Sequence, residues 1–532
     1  MRRFVILAGG FALLAGSCSL VGGGPTAPTE ALGPPTLIDE TSSSGLDHRY
    51  TGGSEFFEGG GVAVFDCNGD SFPEVFVAGG EGDSALYLNQ SAEGAALQFT
   101  PDGHSDLVFD HVTGGYPIDL DSDGITDVAV LRIGENILMR GLGDCRFERA
   151  NEALGFDGGD AWTAAFSATW EGNNQLPTLA FGNYLKREDA LNQEELCEPN
   201  VVVRPEGSAY ADPTQLLPSW CSLSVLFSDW DRNGGADLRI TNDRQYNRSG
   251  EEQLWDMAGA DPISYTRERG WNQVRIWGMG IASRDVTGDG FPEVFLTSQG
   301  DNRLQTLDGG ADRPDYTDIA IRRGVTAHKP YEGDDTYAST GWHAQFEDVN
   351  NDGFVDLYIA KGNVDAMPDF TMEDPNNLLL GQPDGTFVEG GSDAGIVYFE
   401  RTRGGAVVDL NGDGLLDLIE VNREAPVRVW RNVGTGTADA PEPMGNWITV
   451  EVVGGAVNGH AIGSWIEVRL GDVVLPKEVT IGGGHVSGQL VPHHFGIGSS
   501  ASAEVRVIPP EGSPTEWRTV DAGELLVVST SG

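Results

Sequence analysis

Six stretches of the chain set oxygen-bearing side chains at positions 1, 3, 5 and 9 of a nine-residue segment. They are Asp66, Asn68, Asp70 and Glu74; Asp119, Asp121, Asp123 and Asp127; Asp229, Asp231, Asn233 and Asp237; Asp285, Thr287, Asp289 and Glu293; Asp348, Asn350, Asp352 and Asp356; and Asp409, Asn411, Asp413 and Asp417. The chemistry open to such a set is cation ligation. A hard ion such as Ca²⁺ takes about six to eight oxygens at roughly 2.3 to 2.6 Å, and a tight turn can aim positions 1, 3 and 5 at one point while the acid at position 9 closes the shell. Position 6, where the turn is sharpest, is Gly124, Gly234, Gly290, Gly353 or Gly414, with Ser71 in the first loop. An EF-hand is excluded: its bidentate Glu would stand at position 12, where five of the six loops carry Val77, Val130, Ile240, Leu296 or Ile359. If the affinities match extracellular modules, at roughly 10⁻⁴ to 10⁻³ M, a millimolar supply stabilises by about 0.4 to 1.4 kcal/mol per site, which suits a structural ion better than a sensor.

These loops need elements to hold them, and their spacing says which. First aspartates follow one another at intervals of 53, 110, 56, 63 and 61 residues, so the double gap conceals a seventh copy. It lies at Thr169 to Pro177, where the aspartates are gone and the strand-like Thr178 to Phe181 follows. Short β-forming runs flank each loop, such as Val62 to Phe65 before the first and Glu74 to Val77 after it. A repeat of this length, with four strands and a loop between two of them, is a propeller blade. The expected fold is therefore all-β, a seven-bladed β-propeller. Most blades end on a Phe- or Tyr-centred segment, such as Cys145 to Glu148, Asp315 to Asp318 or Thr386 to Glu389. The last lacks one. Thr36 to Thr41 has the matching pattern and is expected to supply that outer strand, closing the ring.

The bulk numbers agree with an exported, cation-binding chain. Across 532 residues the formal charge is −48, with 33 Lys and Arg against 81 Asp and Glu, which argues against nucleic acid as a partner. Arg2 and Arg3, an apolar run to Ala15 and then Gly16-Ser17-Cys18 read as a signal peptide of lipoprotein type, residues 1–18, with Cys18 lipidated. Ser19 to Pro35, rich in Gly and Pro, reads as a flexible tether. Four cysteines remain, permitting three connectivities. Cys197 and Cys221 bracket an irregular insertion at 186–220 and are expected to pair, leaving Cys67 with Cys145.

The acid loops on strand hairpins resemble FG-GAP/VCBS repeats, over about residues 36–432. Beyond them, Asn446 to Val450, Ile462-Gly463-Ser464, Gly482-Gly483-Gly484 with Gln489, and Phe495 to Gly498 look like an ASPIC/UnbV domain, at 445–530. Together they resemble bacterial members of the cartilage acidic protein family. The resemblance implies a small β-rich C-terminal domain and Ca²⁺ at about six loops, with none at the third copy; Trp465 departs from the small or polar residue usual after the Gly-small pair.

The function expected from this reading is a non-enzymatic binding or adhesion scaffold at the cell envelope, outer-membrane or surface-anchored, monomeric, and joined to the membrane only through its N-terminal lipid. Its partner would be an extracellular or periplasmic protein or glycan. The alternative is a propeller enzyme or carbohydrate-binding protein with its site on one face, the 186–220 insertion serving as a lid. No residue is nominated as catalytic. His343 is expected to be packed or hydrogen-bonded with Trp342, the pair His493 and His494 to be structural or exposed, and Trp162, Trp170, Trp255, Trp271 and Trp277 to be core.

Overall fold

Each acid loop joins the first and second strands of a four-stranded antiparallel sheet, and seven such sheets follow one another along the chain. The computed structural model describes residues 24–186, 197–243, 250–326, 338–365 and 371–530. Cys18, Ser19 and the signal-peptide reading lie outside the described residues, as do residues 187–196 of the expected insertion.

Blade 1 comprises Val62–Phe65, Glu74–Val77, Ala85–Asn89 and Phe99–Pro101; blade 2, Val112–Ile118, Asp127–Gly134, Ile137–Gly141 and Phe147–Arg149. Blade 3 is Ala161–Thr169, Thr178–Asn183, Asn200–Val203 and Thr214–Leu216, and blade 4 is Ser222–Ser228, Asp237–Asn242, Gln253–Asp256 and Ile263–Ser264. Gly278–Arg284, Glu293–Ser298, Arg303–Leu307 and Tyr316–Asp318 form blade 5. Blade 6 is Gly341–Glu347, Asp356–Lys361, Asn377–Gly381 and Phe387–Glu389. Blade 7 has three consecutive strands, Thr402–Val408, Asp417–Asn422 and Arg428–Asn432. Its fourth is Leu37–Asp39, with Leu37 opposite Asn432 and Asp39 opposite Trp430. The ring closes as the sequence pattern requires.

Burial explains the strand compositions. First strands such as Val62–Phe65 and Thr402–Val408 are buried along their whole length, so they read as unbroken apolar or small runs. Outer strands bury one aromatic and expose the next two residues, as Phe99, Phe147 and Tyr316 do. Trp162, Trp255 and Trp271 are core, while Trp170 and Trp277 are half-buried.

Two expectations need revising. Residues 200–216 supply the third and fourth strands of blade 3, so much of the 186–220 stretch is the blade itself and not a lid. The tether is seated from Thr26 onward: Thr26 N–H donates to Ser500 Oγ at 3.1 Å and Leu32 N–H to Asp352 Oδ2 at 2.7 Å. Proline and glycine content alone did not anticipate these long-range partners. Both disulfides form as expected, Cys67 with Cys145 and Cys197 with Cys221.

The C-terminal domain has two sheets. One orders His493–Gly498, Asn446–Val453 and Leu525–Ser529; the other orders Val473–Glu478, Trp465–Leu470, Ser502–Ile508 and Arg518–Asp521. A further strand, Gly488–Leu490, leaves this domain and pairs in parallel with Val62–Phe65 of blade 1.

Candidate metal centres and the filled axis

In all six acid loops the backbone turns left-handed twice. Position 6 has φ between 71° and 91°, with Ser71 doing what Gly does in the other five; position 4, which is Gly69, Ser122, Arg232, Gly288, Asn351 or Gly412, has φ between 56° and 79°. The sequence reading missed position 4, although Gly at three of the six was a signal. The two reversals turn backbone N–H groups inward onto the first aspartate. Position 6 N–H donates to it in every loop at 2.7 to 3.1 Å, from Ser71 to Asp66 through Gly414 to Asp409.

The acid at position 9 is the first residue of the second strand and lies beneath the loop. Asp127 accepts Leu120 N–H at 2.7 Å on one oxygen and Gly141 N–H at 2.7 Å on the other. Asp356 does the same with Val349 and Gly381, and Asp417 with Leu410 and Asn432. Glu293 holds Val286 N–H and Thr306 Oγ1. Position 9 thus pins the loop to the third strand of its own blade, in addition to whatever it offers an ion.

The donors fit a hard cation. They are oxygens, and three of them, Asp121 Oδ1, Asn411 Oδ1 and Asp413 Oδ2, are buried with no hydrogen-bond partner among the described residues. In the second loop, carboxylate oxygens of Asp119, Asp121 and Asp127 lie within 4.8 Å of one another. Burial, reinforced by the neighbouring carboxylates, raises Asp119 to about 6 and Asp127 to about 8. The same causes hold Asp356 and Asp417 well above the usual carboxylate range. A divalent ion would reverse that pressure by supplying the missing opposite charge. Arg140 already sits at the edge of this loop, its Nε 2.8 Å from Asp121 and its Nη2 3.1 Å from Asp123. Glu74 also converges with Cys67 and Cys145, but those sulfurs are bonded to each other and offer no thiolate.

The third copy is built differently. By its strand ends, Trp170 stands at position 1 and Thr178 at position 9. Thr178 Oγ1 donates to Glu171 at 2.8 Å, and Glu171 is held by Arg204. A guanidinium is the cation here.

Residues 66–130 and 348–420 match the model of the FG-GAP-like repeat, and 454–532 match that of ASPIC and UnbV. The chain carries FG-GAP-like repeats and ends in an ASPIC/UnbV domain. No curated protein matches it. Among solved structures, BBS1N in complex with ARL6DN is similar at 10% identity, covering 77% of this chain and 100% of that one, with a TM-score of 0.41. A lectin of Agrocybe aegerita, described as recognising non-reducing terminal N-acetylglucosamine, is 15% identical over 72% of this chain and 97% of its own, with a TM-score of 0.37. The Dos1 propeller is 10% identical over 76% and 96%, with a TM-score of 0.35.

The ASPIC/UnbV domain docks on the loop face of the FG-GAP propeller. Glu478 reaches the acid loop of blade 4, accepting Asp229 N–H at 2.7 Å and Ser228 Oγ at 2.6 Å; burial first, then the Asp229 charge, raises it to about 8. Trp465, the residue that departs from the family pattern, points Nε1 at Asp229 Oδ2 from 3.4 Å and carries the Arg232 guanidinium on its ring at 4.4 Å. His494 Nε2 is 2.6 Å from Asn351 Oδ1 in the acid loop of blade 6. The Trp447 ring covers Gly414 so closely that a Cβ there would stand 1.7 Å from it.

From this domain the segment 479–490 runs into the propeller axis and meets the first strand of every blade. Ile481 bridges Ala168 of blade 3, Gly482 bridges Leu226 of blade 4, Gly484 bridges Ile281 of blade 5 and Ser487 bridges Gly115 of blade 2. His485 N–H donates to His343 Nδ1 of blade 6 at 3.2 Å, Gly488–Leu490 pairs with blade 1, and a Cβ on Gly404 of blade 7 would meet Ser487 Oγ at 2.5 Å. The approach is possible because the inner strands carry glycine: at Gly61 and Gly114 a Cβ would fall 1.9 and 2.1 Å from Val486 O.

Proposed function

We propose that the chain is an exported, calcium-stabilised FG-GAP propeller that binds a protein or glycan at the cell envelope and does not turn it over. The observation that carries the reading is segment 479–490 along the axis. A propeller that offers its central channel to a substrate leaves it open; here the chain's own ASPIC/UnbV domain fills it and covers the loop face, so recognition falls to the opposite face and the rim. Export is supported by the two disulfides, which persist in oxidising compartments. Calcium is supported by the all-oxygen loops and their unpartnered acceptors.

The test is made on the purified full chain. Calorimetry and metal analysis should find several Ca²⁺ per molecule and a melting temperature that falls on chelation, with affinity capture on the native surface diminished by the chelator. Absence of bound metal would remove the calcium part. Turnover of any phosphoester, glycoside or alcohol in a substrate panel would replace the scaffold reading with the enzymatic alternative.

A further inference from the structure

Between blades 2 and 3, on the side where second strands hand over to third strands, lies a cavity of about 180 Å³. Its floor is rigid. Phe156 and Phe181 stack there at 5.4 Å between ring centres, and Val203 beside them is also buried. The back wall is chemically spent. Asn136 gives its amide protons to Gly158 O and Thr163 Oγ1 and takes Arg132 N–H, and Asn183 is held by Thr163 Oγ1 and Pro199 O. Among the described residues, what remains uncommitted is at the rim: the Glu198 carboxylate, one oxygen of Asp157 and the Gln215 amide. The Glu198 backbone is held beside the slot, being adjacent to Cys197, which is bonded to Cys221, and donating its N–H to Tyr184 O at 2.9 Å.

We propose that this slot receives one apolar side chain of a basic peptide, with a flanking Lys or Arg paired to Glu198 and Asp157. The proposal rests on the scaffold reading and names the partner's chemistry and its place. Three observations support it. The volume is below the roughly 300 to 1,000 Å³ of drug-sized ligand sites and suits a single side chain. The floor, Phe156, Phe181 and Val203, is apolar, and the buried amides of Asn136 and Asn183 behind it are already hydrogen-bonded. Apart from the Gln215 NH2 the rim offers carboxylate and amide acceptors, and its two carboxylates, Glu198 and Asp157, suit a multiply donating ammonium or guanidinium better than a neutral sugar. A formal charge of −48 adds a long-range field that draws such a peptide in.

The test uses the full-length protein with saturating Ca²⁺ and fluorescence polarisation of labelled Lys-Lys-Leu-Lys-Lys. Replacing the peptide's Leu by Gly controls for attraction to the acidic surface at large. The leucine peptide should bind more tightly than the glycine one. Ala161→Leu, which adds bulk to the slot wall, should abolish that difference, and Glu198→Gln or Asp157→Asn should each weaken binding by up to about fivefold, the range of an exposed ion pair. Melting temperature checks that the variants fold. Equal binding of the two peptides, insensitivity to Ala161→Leu, or displacement of the leucine peptide by N-acetylglucosamine would each overturn the slot assignment. Any of these would leave the scaffold reading standing if chelator-sensitive capture on the native surface persisted.

Discussion

In the one repeat without aspartates, Arg204 grips Glu171 through two bonds of 2.8 Å, Nε to Oε2 and Nη2 to Oε1. The pair is about three-quarters buried, and Arg204 Nη2 also donates to Met257 O. A covalently attached cation stands where the acid loops carry donors suited to a dissociable one. The two residues should therefore be coupled in a way that chelation does not touch. Arg204→Met, which leaves Glu171 with Thr178 alone, should cost about 1 to 3 kcal/mol. The double variant with Glu171→Gln should cost less than the sum of the singles by about 0.5 to 3 kcal/mol. Urea unfolding of the four proteins, repeated with chelator, measures both; additivity would show that the pair is ornamental.

Left-handed backbone at positions 4 and 6 separates residues that suit the turn from residues that are forced into it. Ser71, at φ 71°, carries a Cβ where the other loops have glycine. Ser71→Gly should stabilise by about 1 kcal/mol. Gly124 has open space around it, whereas Gly414 lies under Trp447. Gly124→Ala should therefore cost about 1 to 2 kcal/mol, the backbone penalty alone, and Gly414→Ala clearly more, because Trp447 must move. Paired thermal melts decide the order, and equal losses at Gly124 and Gly414 would contradict it.

The repeats were legible because each loop obeys local rules: spacing, acid positions and flanking β-formers all sit within a few dozen residues. The closing strand Leu37–Asp39 was legible for the same reason, since the pattern it completes is repeated in other blades. What escaped were relationships between distant segments. Gly482 to Gly484 could be recognised as a motif, but nothing local says that it lies against blades 3, 4 and 5. The outer strands of blade 3 were read as an insertion because residues 187–196 separate them from their own blade's core strands. Position 4 escaped for another reason. Ser122 and Arg232 adopt a conformation that their type does not advertise, and only Asn351 is of a type enriched there.

The contact between the axial segment and blade 6 should make the protein acid-sensitive. His343 is buried, and burial lowers it to about 4; His485, its ring tilted against Trp342 and its ring nitrogen 3.2 Å from Leu223 O, is lowered by burial to about 3. The unfolded chain protonates both near 6.5. Since the folded values lie below the unfolded ones, the native state binds fewer protons in this window. Stability is full above pH 6.5 and falls as pH drops through about 4. His343 alone sets a limit of roughly 3 kcal/mol on its share. The raised loop carboxylates act in the opposite sense, so the measurement needs saturating Ca²⁺. Unfolding free energy should decline from pH 6.5 to 4.5, and His485→Phe should make the decline shallower while lowering stability at neutral pH. A flat profile, or an unaltered slope in the variant, would remove the histidines as the cause.

Ring closure draws on one carboxylate as well as on the three paired residues of the closing strand. Glu40 Oε1 lies 2.8 Å from Arg431 Nε in blade 7, while its Oε2 accepts Leu97 N–H of the segment leading into the outer strand of blade 1, at 2.7 Å. Both side chains are almost wholly buried, at 7% and 1% exposure. Glu40 thus ties the N-terminal strand to the blade it completes and to the blade beside it, across the seam. Removing it leaves a guanidinium buried without its counter-charge, so Glu40→Ala should cost about 3 to 5 kcal/mol. Replacing both partners with Met should recover part of that, because no unpaired charge is left inside. Deleting residues 36–46 removes strand and carboxylate together and should turn a single cooperative melt into a broad one, as blade 7 loses its outer edge. The three proteins, compared by calorimetry, separate the contribution of the ion pair from that of the strand. A deletion that melts like the intact chain would mean that the ring is held by its axis and not by its seam.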